Sequence, residues 1–256
     1  MTVSGGMKTV RHAIDVLRCF SANDQVLGVS EVSKRTGMHK SSVSRLMATL
    51  EEARFLERDP TSKRFRLGDG LFAVAAPLFN RKGLTETVRP LLGRLALAAG
   101  ETASFNVWDG REAVVIESVA GTNAISHFAP IGMRNPAHCT SSGKALLAFA
   151  PDSDIDAVLA GELSEYTSQS PSDPEALRAE LAQIRSDGIA MNAGEFRDDV
   201  GAVAACVFGV DGNIVGAVSV TVPMYRFGAK RQAELARIVA DHARLFSVAL
   251  GHGVAS

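Results

Sequence analysis

The chain has 256 residues, a length that suits two domains, and its 46% hydrophobic and 21% charged content describes a globular protein with enough apolar mass for a real core. The net charge of −1 says little about partners, but residues 1–70 hold 12 Lys+Arg against 8 Asp+Glu and residues 71–256 hold 15 against 20, so the cationic excess sits in the first quarter, where phosphate would be met. Three scattered cysteines (Cys19, Cys139, Cys206) exclude a disulfide framework or zinc site, and the longest apolar run, Leu71–Phe79 with Pro77 inside it, falls short of the about 20 residues of a membrane helix.

Met1–Lys8 reads as a loose tail without the apolar core of a signal peptide, and with the odd cysteine count it points to the cytoplasm. From Thr9 the pattern turns helical, with Val10, Ala13, Ile14, Leu17 and Phe20 recurring at three- and four-residue steps. Ser21–Gly28 is a polar loop. Ser30 sits where an N-cap belongs, with Glu31 in the first turn of a short helix reaching Thr36, and Gly37 suits the left-handed position that ends it. Met38–Lys40 makes a turn. A third helix over Ser41–Ala53 places Val43, Leu46, Met47 and Leu50 on one stripe. Its opposite face carries Ser41, Arg45, Ala48 and Glu52, flanked by Ser44 and Thr49, small and polar enough to approach bases closely. Phe55–Arg58 and Arg64–Leu67 alternate as strands around the turn Asp59-Pro60-Thr61-Ser62-Lys63, giving a hairpin with Arg64 and Arg66 on one face.

Gly68-Asp69-Gly70 is a hinge signal, and Leu71–Arg81 reads as an apolar linker helix that serves either as ordinary core or as a dimer contact or lever. The predicted division is therefore a winged helix-turn-helix domain over 1–70, a linker helix over 71–83 and a second domain over 84–256. That second domain opens with a helix ending at Gly100. Three strand-like runs follow (Ala103–Trp108, Ala113–Val119, Ala124–Ala129), the first two joined at Asp109-Gly110. Helices are predicted at Ser142–Phe149, Asp152–Ala160 and Pro174–Ser186, and strands at Ile189–Asn192, Ala202–Val210 and Ile214–Val222, the last two joined at Asp211-Gly212. A terminal helix, Ala229–Leu250, packs Leu235, Ile238, Val239, Leu245 and Phe246 on one side. Strands at both ends with helices between and around them give an α+β class, an antiparallel sheet flanked by helices.

The DNA candidates follow from this layout. Lys40, Ser41 and Ser42 open the third helix, where backbone N–H groups and positive charge meet phosphate, although Ser41 also suits an N-cap. Arg45 can form the bidentate pair with a guanine edge, or else contact phosphate or Glu52. Ser44 and Thr49 can hydrogen-bond to bases or phosphates. Lys63, Arg64 and Arg66 on the wing add affinity by counterion release, the plain alternative being a solvated charged hairpin.

In the second domain, Thr140-Ser141-Ser142-Gly143-Lys144 leads into a helix, and a helix N-terminus with small hydroxyls either caps itself or holds an anion. Ser219 and Thr221 alternate with Val218, Val220 and Val222 on a strand otherwise built for burial, so they need partners, which a ligand could supply. Lys144 reads as structural or surface. Ser141-Ser142-Gly143-Lys144 has the S-x-x-K spacing of a serine nucleophile, but the companion Ser-Asp-Asn and Lys-Thr-Gly are absent. The spacing also fails as a P-loop, with His138 where glycine is required and Ala145 in place of Ser or Thr. His138 beside Cys139 has no second ligand pair nearby, so neither metal nor cofactor is expected. The reading is a non-enzymatic DNA-binding regulator controlled by a small acid. Its alternatives are a serine hydrolase or acyltransferase fused to a DNA-binding module, and an effector-independent DNA-binding protein.

Three blocks in register carry a family resemblance: RTGMHKSSVSRLMATLEEARFLERD within Val10–Leu67, RNPAHCTSSGKALLAF at Arg134–Phe149, and GIAMNAGEFRDDVGAVAACVFGVDGNIVGAVSVTVP at 188–223. The chain resembles the IclR family of bacterial transcription regulators over nearly its whole length. The resemblance implies a winged helix-turn-helix, a linker helix and a GAF/PAS-like domain that binds a small organic effector, commonly in dimers or tetramers on palindromic operators. It implies repression or activation of catabolic genes, often for aromatic or small carboxylic acids. It also places effector contacts at Asn192, Ser219 and Thr221, which join Ser141 and Ser142 of the helix N-terminus as effector-binding candidates. The sequence departs from the family pattern at Ala202, where Cys is common, at Asp199, where Gly is common, and at Asn192, where an acid is frequent. Ser141 and Ser142 replace small apolar residues or threonine of some relatives. The resemblance thus implies a pocket altered in detail.

Overall fold

The structure, a computed structural model, describes residues 7–21, 24–79, 84–127 and 129–253, with backbone alone for 76–79 and 84–85. Most of the predicted tail, part of the loop Ser21–Gly28 and the end of the linker helix lie outside the described residues. The chain divides into two compact units, Met1–Lys82 and Gly83–Ser256, so the helix after the hairpin falls with the first unit.

In the first unit α1 (Lys8–Arg18), α2 (Val29–Thr36) and α3 (Lys40–Glu52) precede an antiparallel hairpin, β1 (Leu56–Arg58) and β2 (Phe65–Leu67), and then α4 (Gly70–Phe79). Their apolar stripes meet in one core of Val16, Phe20, Leu27, Val32, Val43, Met47, Leu50, Leu56 and Phe65. Leu27 bridges to Phe65, so the loop before α2 adds a third edge to the wing. Two caps differ from expectation. Gly28, not Ser30, is the N-cap of α2, and the Glu31 carboxylate reaches back to accept the Gly28 N–H at 2.7 Å. His39, not Ser41, is the N-cap of α3, its Nδ1 accepting from the Ser41 N–H. In each case the chain turns earlier because a side chain two or three residues away can satisfy an open N–H group. On α1, Val10 and Ile14 are exposed and Val16 is buried, with Phe20 buried just beyond the helix. The glycines after the wing are not an open hinge: the Gly68 and Gly70 N–H groups donate to the Phe55 and Arg54 carbonyls, and a Cβ on Gly68 would lie 2.4 Å from the Arg54 oxygen. Glycine is needed there for close backbone approach.

The second unit runs α5 (Leu84–Ala99), β3 (Thr102–Trp108), β4 (Glu112–Val119), β5 (Arg134–Pro136), α6 (Ser141–Ala148), α7 (Asp152–Leu159), α8 (Pro174–Asp187), β6 (Ala190–Ala193), β7 (Val200–Phe208), β8 (Ile214–Pro223) and α9 (Ala229–Ala249). The sheet order is β5-β4-β3-β8-β7-β6, antiparallel throughout. Described residues of the predicted strand Ala124–Ala129 form no strand, and Arg134–Pro136 takes the place beside β4. An apolar run signals burial but cannot name its ladder partner. One sheet face packs Phe105, Val203, Val218, Val220 and Val222 against α5 and α9. The other sets Ala204, Cys206 and Ala217 against α6 and α8. On α9, Leu235, Val239 and Phe246 are buried, whereas Leu245, expected beside them, is exposed and Ser247 is buried instead. With both faces covered, a polar side chain on the α6 side of the sheet is held away from water, and this is where the polar residues collect.

Candidate functional site

The exposed face of α3 carries Lys40, Ser41, Ser44, Arg45, Ala48, Thr49 and Glu52, with Ser42 half-buried at its edge. Arg45 makes no ion pair with Glu52 or any other acid among the described residues. The Thr49 hydroxyl donates to the Arg45 carbonyl at 3.0 Å, so it is partly occupied by its own helix. The face is free of bulky side chains, and one guanidinium stands at its centre.

The wing is less free. The Asp59 carboxylate closes the turn by accepting the Thr61 and Ser62 N–H groups at 3.0 and 2.6 Å, which holds its pKa below the ordinary carboxylate range. Arg64 pairs with Glu31 at 2.9 Å and donates to the Val26 carbonyl, and Arg66 pairs with Glu57 at 2.9 Å. Each carboxylate is pulled below its usual range, Glu31 chiefly by the Gly28 N–H and Glu57 by the Arg66 guanidinium. Lys63 has no such partner among the described residues, and at φ 58 it holds a left-handed conformation in the hairpin turn. Exposed ion pairs are individually weak, so a phosphate could exchange with Glu31 or Glu57 at small cost.

On the α6 side of the second unit, Ser141, Ser142, Asn192, Ser219 and Thr221 line one cavity of about 70 Å³ that opens to solvent. Three chain segments thus meet: Ser142 and Asn192 are 50 positions apart, and Asn192 and Ser219 are 27. Thr140 caps α6: its hydroxyl accepts from the Gly143 N–H at 3.0 Å and donates to the Pro136 carbonyl at 2.8 Å. The Ser141 and Ser142 N–H groups at the positive end of the helix find no protein acceptor among the described residues.

Ser104, Asn135, His127 and Arg197 line the same cavity and were not singled out from the sequence. Behind them Asn106, fully buried, donates from Nδ2 to Ser104 Oγ and Ser219 Oγ at 3.2 Å each, and its Oδ1 accepts from Asn135 Nδ2 at 3.2 Å. The two serine hydroxyls are 2.8 Å apart, and Asn135 reaches Ser142 Oγ at 3.4 Å. Ser104 and Asn106 alternate with Ala103, Phe105 and Val107, the same signal that marked Ser219 and Thr221, so β3 was open to the same reading. Arg197 stands at the rim in a pair with Asp199 at 3.2 Å, and the guanidinium holds that carboxyl below its usual range.

Lys144 is not on the surface. It is 1% exposed, and its ammonium donates to Glu180 Oε1 at 2.6 Å and to Glu195 at 2.8 and 2.7 Å. With its hydrogens directed to carboxylates, Lys144 does not serve as the base that the Ser141–Lys144 spacing would need for nucleophilic chemistry. Burial pushes the Glu195 pKa up against the opposing pull of Lys144. Burial and the nearby Glu195 raise the Cys139 thiol to about 12, which keeps it protonated, and His138 is engaged with the Ser164 carbonyl at 3.0 Å. No three His, Cys, Asp or Glu side chains among the described residues gather as a metal site, and no helix among them is long and apolar enough to cross a membrane.

Two family models match the chain. Residues 9–60 match the IclR helix-turn-helix domain, and residues 77–248 match the C-terminal domain of bacterial transcriptional regulators of the IclR type. An HTH-type transcriptional regulator of Mycobacterium tuberculosis is 34% identical over 235 residues, 92% of this chain and 89% of that one. The crystal structure of an IclR-type regulator from Silicibacter sp. superposes with a TM-score of 0.85 at 29% identity, covering 96% of this chain and 97% of that one. An IclR homologue from Microbacterium hydrocarbonoxydans, crystallised in complex with 4-hydroxybenzoate, shares the fold with a TM-score of 0.71 at 23% identity, over 95% and 99% of the two chains. The helix-turn-helix with its open reading face, the α+β domain with its lined cavity and these matches together show that the chain belongs to the IclR family of transcriptional regulators.

Proposed function

We propose that this regulator binds an operator through α3 and the wing and that a small organic acid in the cavity controls its operator affinity. The observation that carries this reading is the convergence of Ser141, Ser142, Asn192, Ser219 and Thr221 on one cavity at the N-terminus of α6. Unpaired N–H groups and a positive helix end favour a carboxylate there, and the apolar Ala129, Met133, Phe196 and Val200 can cover its hydrocarbon part. That a protein of the same fold was crystallised with 4-hydroxybenzoate supports an aromatic or short-chain acid as effector. Arg45 reads a base edge, Lys40, Ser41, Ser42, Ser44 and Thr49 support the helix on DNA, and Lys63, Arg64 and Arg66 engage phosphate. Pairing two copies on a palindromic site, as dimer or tetramer in the cytoplasm, supplies the affinity that one small reading face lacks. Control requires the acid to bind the DNA-competent and DNA-incompetent arrangements unequally.

The test is fluorescence anisotropy with DNA from the protein's own upstream region, titrated with a panel of aromatic and short-chain acids. At least one acid should shift the operator affinity. Ser219→Ala with Thr221→Ala should raise the acid concentration needed by about tenfold, the loss of one or two hydrogen bonds to a charged group. A response that survives at the normal concentration in the double variant would remove the cavity from the reading.

A further inference from the structure

We propose that the second unit holds a second ligand site, apart from the acid cavity, that takes the zwitterion of an apolar α-amino acid. Its polar end is formed by Thr102, Glu117 and Arg89, where the outer edge of β4 runs free of the sheet.

β5 pairs only with Glu112–Val114 of β4, and backbone bonds to Gly132 and Met133 occupy Val115. From Glu117 onward the outer edge of β4 borders a cavity of about 470 Å³ that opens to solvent, a size in the range of small-molecule pockets. Thr102 at the start of β3, Glu117 and Ser118 on β4 and Arg89 on α5 all line it. Thr102 is 3% exposed, and its Oγ1 is one of two buried side-chain polar atoms among the described residues without a hydrogen-bond partner. Valine has nearly the same shape, so packing alone gives no reason for a hydroxyl there. An orphaned buried hydroxyl is costly, and a ligand at the cavity wall relieves that cost.

The charges beside it fix the class of ligand. Glu117 is 4% exposed, and its Oε1 accepts from Arg89 Nη1 and from the Ser118 N–H, each at 3.1 Å. Oε2 receives no donor from the described residues, and Arg89 commits only one nitrogen to them. An uncommitted carboxylate oxygen and uncommitted guanidinium donors therefore flank one ion pair. A simple anion would be repelled by the first, and a simple cation by the second. A molecule with an ammonium and a carboxylate on one carbon matches both, its ammonium on Glu117 and Thr102 and its carboxylate on the guanidinium fork. Ala120, Ala129, Pro130 and Ile131 supply an apolar wall for the side chain. The cavity at α6 differs in kind, since no acidic residue lines it. The two share only His127 and Ala129.

Isothermal titration of the full chain with L-valine, L-leucine and L-phenylalanine tests the site, with isocaproate and isopentylamine as the leucine analogues lacking the amino group and the carboxylate. At least one amino acid should bind, and leucine should bind about tenfold or more tightly than either analogue, the scale of one charged hydrogen bond. Thr102→Val should weaken amino-acid binding about tenfold while the protein melts no lower, because the valine leaves no hydroxyl to satisfy. Glu117→Gln should weaken it at least as much. The Ser219→Ala, Thr221→Ala double variant should leave it unchanged. Failure of all three amino acids to bind, affinity no greater than that of the analogues, or binding indifferent to Thr102→Val overturns the proposal and leaves the acid cavity untouched. Amino-acid binding lost in the serine–threonine double variant also overturns it, by placing the ligand in the acid cavity. Should Glu117→Gln not fold, Thr102→Val and the analogues still decide.

Discussion

The two units handle polar residues in opposite ways. In the first, most of those expected to act are exposed on one helix and one hairpin, Ser42 and Arg64 being half-buried, and their ion pairs lie at the surface, where Arg66 and Glu57 are more than half exposed. Such pairs add little to folding and can be traded for phosphate. In the second, polar residues are sealed between sheet and helix, where an unmatched group is expensive and each must be satisfied by a neighbour or a ligand. An exposed site can thus be read from spacing along one helix, whereas a buried site is defined by what the fold brings to it.

The sharpest way to break this contrast is Lys144→Met. It leaves Glu195, 16% exposed, without its cation, and should cost the second unit roughly 3–5 kcal/mol in denaturant unfolding, the scale for breaking a buried pair. A loss of surface-pair size would place Lys144 with the exposed pairs of the wing. Next is Gly143→Ala. The new Cβ would sit 2.4 Å from the Pro136 carbonyl oxygen and 2.5 Å from Thr140 Oγ1, so about 1–3 kcal/mol of stability should be lost as the α6 cap is displaced. Effector titration of the same variant should show a weakened response, since the cap and the ligand share that helix end.

Arg45→Ala probes the other unit. Its side chain is exposed and has no acid partner among the described residues, so the melting temperature should hold while operator binding loses about 1–3 kcal/mol and base preference relaxes. Unchanged affinity across operator variants would reassign Arg45 to the solvated surface. The smallest effect is in pH. Asp24, Glu31, Glu57 and Asp59 all have lowered pKa values in the first unit, so their contribution is present above the ordinary carboxylate range and is lost as pH falls through the lowered values. Glu195 has a raised value, and the sign reverses: its ionisation costs the fold increasingly as pH climbs from the ordinary range through the raised value. The stability of Glu195→Gln relative to the native chain should therefore improve as pH rises over that window. A difference that is flat with pH would show that Glu195 titrates alike folded and unfolded.

Much of the first unit was determined by sequence alone. The stripe Val43, Met47, Leu50 and its opposite face, the Gly37 stop and the Asp59 turn are set by contacts within four residues, and such contacts are written in spacing. Five of the six strands of the second unit were equally legible, and so were Ser219 and Thr221 as polar residues in a buried strand. Only the tertiary structure decided the rest. Ser104 meets Ser219 across 115 positions, Lys144 meets Glu195 across 51, and Arg134–Pro136 rather than Ala124–Ala129 takes the sheet edge. Pairing across such distances depends on which strands lie side by side, and periodicity carries no record of that. The meeting of Thr102 and Glu117 at one cavity belongs to the same class, because it depends on where β5 stops along β4.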